Sequence, residues 1–309
     1  MKPPRILIAG SGAVCGLGMD PAAMFDAILA GRSAIAPIQD FDTAGWPVTH
    51  SAAIADFNPR ALVEDRKLHK FIRRTDLLGI YAGDRAAETA GYAHYRETLD
   101  EGASARFADR TGIYVGSGGG AFENQYDYFP LMSETGGDLQ GFGAKLAESV
   151  NPMWLLRTLP NNVLCHVGIR NRLKGSNACV TNHSVGGSLA VIEAAEALKQ
   201  GEADRAIAIG HDTPIEPQNI LYYHRCGLLA REALRPFDAA REGSVFGEGA
   251  GALALETEGA LAARGGTAIG EVRRGRLVQG FAVARVARSL GSAVAGVDAD
   301  EIGAPDELV

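Results

Sequence analysis

Five short apolar runs restrict what this chain can fold into more than any other feature: RILIAG (5–10), TGIYVG (111–116), NACVTN (177–182), RAIAIG (205–210) and GALALE (251–256). Each is too short for a helix, rich in Ile, Val and Ala, and bounded by glycine or a polar residue, the pattern of a strand buried on both faces. Helical patterns separate them. DPAAMFDAILAG (20–31) opens on Asp-Pro and stops on Gly, while LLGIYAGDRAAETAGY (77–92) and SVGGSLAVIEAAEALKQG (184–201) are Ala-rich and run into glycine. Strands alternating with helices predict an α/β protein with a mainly parallel sheet.

Composition narrows the function classes. The chain has 309 residues, 46% apolar and 22% charged, enough for a substantial core and for about two domains or one large one. No apolar stretch reaches the about 18 residues of a membrane span, and the N-terminal MKPPRILIAGSG reads as a strand rather than a signal peptide. A net charge of −7 without a dense Lys/Arg block argues against nucleic acid and anionic membrane as partners. Cys15, Cys165, Cys179 and Cys226 have no CxxC spacing and lie in apolar runs. Reduced thiols in a cytoplasmic core are expected, with neither disulfides nor a metal site. Residues 32–66, with Pro37, Gly45, Pro47 and Pro59, read as an excursion from the sheet. Residues 117–160, rich in glycine and aromatics, read as short helices bordering a cleft or a subunit contact.

Three glycine motifs are weak as cofactor signals. GSGAVCGLG (10–18) follows a strand, but the dinucleotide pattern needs Gly where Cys15 stands, and the helix signal starts only at Asp20. GSGGG (116–120) lacks the Lys and Ser/Thr of a phosphate loop and reads as a turn. FGEGAG (246–251) sets Glu248 among glycines before a strand, as a hydrogen-bonded turn carboxylate or a general base. No cofactor is expected.

Ser184 is the candidate nucleophile. A strand runs into it, Gly186 and Gly187 follow, and a long helix begins. A hydroxyl there would sit beside the free N–H groups and positive dipole end of the helix, which can hold a developing oxyanion. The alternative is that Ser184 caps the helix. The string His183-Ser184-Val185-Gly186-Gly187 has glycine two residues after Ser184 but Asn182 two before it, so it misses G-x-S-x-G. A serine needs a positioned base. His183, its neighbour, diverges from it, and His211 and His224 read as ordinary satisfied histidines, with a place near the cleft for either as the alternative.

These segments, taken in order, resemble the β-ketoacyl synthase family. Residues 5–18 are similar to its opening strand and G-x-G-x-V-T-x-L-G turn, with Cys15 at the Thr position. DPAAMFDAILAGRSAIAPIQDFD (20–42) resembles the helix and Phe-Asp continuation, and RPFDAAREGSVFGEGAGALALE (235–256) the RPFD…GEGAG…LE block. The resemblance implies a thiolase-like layered α/β fold, duplicated, with helices buried between two sheets and usually dimeric. Anchoring on Leu173-Lys174-Gly175, Glu193-Ala194-Ala195 and Gly201 gives a gap-free register. In that register the family's TACASG falls on residues 182–187, Ser184 takes the cysteine position, and Cys179 becomes a core thiol five residues earlier.

The resemblance implies a cytoplasmic β-ketoacyl-acyl-carrier-protein synthase-like component of fatty-acid or polyketide biosynthesis. Ser184 would accept the acyl group and an acyl carrier protein would supply it, with a homodimer or a heterodimer with a synthase-like chain as the assembly. The alternative is a non-elongating partner subunit resembling chain-length factors. A Ser hydrolase or transferase is a third reading. Residues 1–256 would be the N-terminal half and 257–309 the truncated beginning of the C-terminal half. The family's two histidines, lysine and Gly/Phe-rich loop come from that second half and have no counterpart in this sequence, so unaided condensation is not expected. An apolar helix face and strand edges would then be covered by a like chain or a complementary polypeptide.

Overall fold

The computed structural model describes residues 3–118, 128–182, 185–231 and 233–273. β1 (Ile6–Cys15) is followed by α1 (Pro21–Leu29), whose first turn is capped by Asp20 accepting from the Ala23 N–H at 2.8 Å. The Pro-rich excursion makes a small ribbon of β2 (Ala36–Pro37) and β3 (His50–Ser51), then α2 (Pro59–Leu62). Helices α3 (Arg74–Thr89), α4 (Tyr92–Glu97) and α5 (Glu101–Asp109) lead to β4 (Thr111–Ser117). Short helices α6 (Phe129–Thr135), α7 (Leu139–Ser149) and α8 (Trp154–Thr158) precede α9 (Asn162–Asn171) and β5 (Asn177–Thr181). The chain continues as α10 (Gly186–Gln200), β6 (Arg205–Asp212), α11 (Pro217–Arg225), β7 (Gly249–Thr257), α12 (Glu258–Ala263) and β8 (Gly270–Val272).

The main sheet has six strands in the order β5-β4-β6-β7-β1-β8. β5, β4 and β6 are parallel, but β7 runs antiparallel to both β6 and β1, and β8 antiparallel to β1. The sheet is therefore mixed, not mainly parallel. Asp212 at the end of β6 pairs with Gly249 at the start of β7, so residues 213–248 leave and re-enter the sheet at one edge. Without a crossover, the returning strand must run the opposite way.

Side-chain alternation splits the core into two layers. Ile113, Val115, Ile207, Ile209 and Ala252 pack under α3 and α9 with Leu78, Ile80, Val163 and Val167. Tyr114, Ala206, Ala208 and Leu255 meet Ala190, Ala194, Ala195 and Leu198 of α10 on the other face. Two expectations need correction. β5 is an edge strand with exposed ends, since it pairs only with β4 among the described residues. α10 covers one face of one large sheet, while Ser188, Glu193, Glu196 and Gln200 point outward and are exposed. The thiols are also less buried than expected: Cys165 is exposed and Cys15, Cys179 and Cys226 are half-buried, all four free.

The glycines of residues 10–12 are explained by packing. A Cβ on Gly10 would lie 2.5 Å from the Ala90 nitrogen, and one on Gly12 would lie 2.7 Å from Cβ of Arg85. The Thr89 hydroxyl reinforces this approach by accepting from the Ser11 N–H at 3.0 Å. The motif lets α3 lie against β1, as a structural role requires.

Candidate functional site

At the strand ends a second pair of glycine contacts seats α10. A Cβ on Gly116 of β4 would overlap the Gly186 carbonyl and lie 2.5 Å from the Gly187 nitrogen; one on Gly210 of β6 would lie 2.8 Å from the Gly187 Cα. The first turn of α10 thus rests directly on the backbones of two neighbouring strands. Gly116 is a strand residue cleared for a helix, not part of a turn. Beside this seat is a cavity of about 310 Å³, bounded by the ends of β4 and β6, Asn182 after β5, and the start of β7. Its walls are largely glycine backbone, and its polar side chains come from Ser117, Asn182, His211 and Asp212.

The segment entering α10 is tied at both sides. The Asn182 N–H donates to the Ser117 carbonyl at 3.0 Å, and the Asn182 side chain accepts from the Val185 N–H at 3.1 Å. Asn182 thus holds the N–H of Val185, the N-cap residue of α10. Ser184 and His183 themselves lie outside the described residues. Asn182, Gly186 and Gly187, which bracket them, line the cavity. The N–H groups of a first helical turn have no partners within the helix, so this end of α10 presents donors and a positive dipole end where an oxyanion could develop.

Cys179 is elsewhere. Ala178 packs with the α10 layer, so Cys179 faces the opposite side of the sheet, its Sγ 3.3 Å from the Pro160 carbonyl oxygen. Burial, with a smaller contribution from Cys165, pushes its thiol pKa up. It does not line the cavity.

His211 is 5% exposed, with Nδ1 2.9 Å from the Thr75 hydroxyl. Its ring lies on the α3 side, where a Cβ on Gly79 would come within 3.0 Å of Cγ. Burial, then the nearby Arg73, lowers its pKa to about 4. Nε2 makes no hydrogen bond among the described residues, so only one of its two nitrogens is satisfied. His224 is exposed in the last turn of α11. Glu248 is the turn carboxylate: it accepts from the Ile54 N–H and from Arg74 Nε, each at 2.7 Å, and Arg74 Nη2 bonds it again. Arg74 in turn stacks 3.8 Å over the Phe57 ring. These contacts anchor the excursion to the start of β7.

Asp212 escaped sequence reasoning. No motif marks it; only the alignment of strand ends brings it to the cavity wall. A second cavity, about 430 Å³ and apolar, lies between α6, α7 and Trp154, with Tyr128, Met132, Leu139 and Phe142 among its walls. It fits the cleft expected in residues 117–160.

The profile of the family described as "Beta-ketoacyl synthase, N-terminal domain" matches residues 4–260, and the chain belongs to that family. Nodulation protein E of Rhizobium meliloti is 30% identical over 268 residues, an alignment covering 87% of this chain and 61% of the relative. The 3-oxoacyl-[acyl-carrier-protein] synthase 2 of Vibrio cholerae serotype O1 is 28% identical over 281 residues, covering 88% of this chain and 62% of the relative. Among solved structures, the ishigamide ketosynthase/chain length factor superposes with a TM-score of 0.70 at 24% identity, covering 87% of this chain and 62% of that one. The fold is the thiolase-like α/β fold of ketosynthases. The chain spans about three-fifths of the length of these curated relatives.

Proposed function

We propose that this chain is an acyl-transferring component of a β-ketoacyl synthase system in fatty-acid or polyketide biosynthesis, with Ser184 accepting an acyl group at the head of α10. The observation that carries this reading is the glycine seat. Four glycines from β4, β6 and α10 bring a helix N-terminus against two strand ends and leave a cavity lined by Asn182, Gly186 and Gly187. A thioester carbonyl held there would meet helix N–H donors as charge develops on its oxygen. An acyl carrier protein is the donor, as the name of the Vibrio cholerae relative suggests. The free edge of β5 among the described residues suits pairing with a like chain or a synthase-like partner. The division into residues 1–256 and 257–309 and a cytoplasmic location belong to the same reading.

The test is incubation with an acyl-loaded carrier protein, followed by intact-mass measurement and peptide mapping. An adduct abolished by Ser184→Ala supports the reading, and an adduct on Cys179 overturns it. One observation favours a second reading, a chain-length-factor-like subunit that docks a competent synthase without taking up acyl groups. Cys179, the thiol nearest in sequence, faces away from the cavity, so it cannot act there. No adduct, with stable binding to a synthase chain, would select that reading.

A further inference from the structure

We infer that Cys165 and Cys179 are a redox-sensitive thiol pair, which a peroxide closes into a disulfide joining α9 to the edge strand β5. Neither thiol lines the cavity at the head of α10, so this chemistry stands apart from acyl transfer.

Both sulfurs approach the same two residues ahead of α9. The Cys179 thiol donates to the Pro160 carbonyl at 3.3 Å, and Cys165 Sγ accepts from the Asn161 side-chain amide at 3.5 Å. Val115, which pairs with Cys179, packs with Val163 and Val167 of α9, so Cys179 is on the side of the sheet that this helix covers. Cys165 lies one turn past Asn161 and one turn before Gly168, on one face of α9. Gly168 rests against β4, where a Cβ would come 3.2 Å from Ile113 Cδ1, and Ile113 pairs with Asn177 of β5. The chain turns back between α9 and β5 over residues 172–176, so a step toward the start of the helix is a step toward the end of the strand. From the level of Gly168 and Asn177, Cys165 is three residues back, about 4.5 Å, and Cys179 two residues on, about 6.6 Å. The two cysteines therefore stand at nearly the same height. Their thiols also sense each other: the Cys179 pKa is raised by burial first and by Cys165 second.

The two thiols have different parts. Cys165 is exposed and meets the oxidant, while half-buried Cys179 is the resolving thiol. The Cys165 sulfur attacks hydrogen peroxide, the oxygen–oxygen bond breaks, and a sulfenic acid and a water form. The Cys179 sulfur then attacks the sulfenic sulfur, the sulfur–oxygen bond breaks, and the departing hydroxide leaves as water with the Cys179 proton. Two thiols and one peroxide give one disulfide and two waters. The bond ties β5 to α9 shortly before Asn182, where the chain reaches the cavity wall, and a thiol reductant reverses it.

The experiment exposes the folded full chain, dilute enough to keep chains apart, to hydrogen peroxide, then maps peptides without reduction and counts free thiols. Two of the four free thiols should be lost as a linked Cys165–Cys179 peptide, and dithiothreitol should restore them. Cys165→Ser and Cys179→Ser should each abolish the linked peptide. In Cys179→Ser, Cys165 should persist as a sulfenic acid that dimedone traps. A chain carrying both Cys15→Ser and Cys226→Ser should form the linkage as the wild type does. Circular dichroism establishes that each variant is folded, and where one is not, the wild-type peptide map decides. No thiol loss, a linkage involving other cysteines, a bond formed only between chains, or Cys165 carried to sulfinic acid with Cys179 still reduced overturns the inference. Each of those outcomes leaves the acyl-transfer reading standing.

Discussion

Where β4 and β6 begin, the sheet is sealed and its charges are paired; where the same two strands finish, glycine backbone leaves an open cavity. At the sealed end Glu256 is fully buried and takes hydrogen bonds from Arg264 at 2.6 to 3.1 Å, with Arg205 Nε 3.4 Å away. Phe107 lies 4.6 Å from the Arg205 guanidinium, and Tyr92 lies 5.6 Å from that of Arg264. Burial, then Glu256, holds the Tyr92 hydroxyl well above its ordinary pKa. The open end has the reverse design, with small walls, a helix N-terminus and a few polar side chains around about 310 Å³ of space. Bulk and paired charge belong to the end that holds the sheet together, and cleared backbone to the end that holds the cavity.

The sharpest way to break this contrast is Glu256→Gln. It leaves Arg205 and Arg264 buried without their counter-charge and should cost about 3–5 kcal/mol in denaturant unfolding. Where the variant remains folded, acyl uptake should be unchanged; its loss would mean that the two ends are not independent.

Acid should act through His211. Its folded pKa of about 4 lies below the ordinary 6.5, so the unfolded chain binds more protons between those values. Its contribution is full above about pH 6.5 and is lost as pH falls toward 4, by about 3 kcal/mol in all. Asp76, whose carboxyl pKa is raised by burial, offsets part of this loss by taking up a proton in the folded state. Removing the imidazole in His211→Asn should flatten the dependence of the unfolding free energy over this range.

A matched pair of glycine substitutions comes next. Gly116→Ala pushes on the first turn of α10 and Gly12→Ala on the middle of α3, and each should destabilise by about 1–3 kcal/mol. Only Gly116→Ala should also suppress acyl uptake. Equal effects of the two on uptake would erase the distinction between a structural and a functional close approach. The smallest effect concerns the thiols: brief alkylation followed by peptide mapping should modify exposed Cys165 before Cys179, whose pKa is raised by burial.

Local signals in the sequence were enough for most elements. The Asp20 cap and the glycine after residue 30 bound α1, and the Gly201 stop bounds α10, within two residues of expectation. The five strand runs all became strands, and the order of family motifs was legible because each is a short-range pattern. β1 runs five residues past its expected end because Gly10 and Gly12, which look like strand breakers, are required by α3. The direction of β7 was not legible, since apolar alternation is the same whichever way a strand runs; it followed from a loop that returns to the edge it left. Asp212 carries no motif and reaches the cavity wall only because strand ends far apart in sequence meet there. The chain thus settled by itself what depends on neighbours along the backbone, and tertiary structure decided what depends on residues far apart in sequence sharing one small volume.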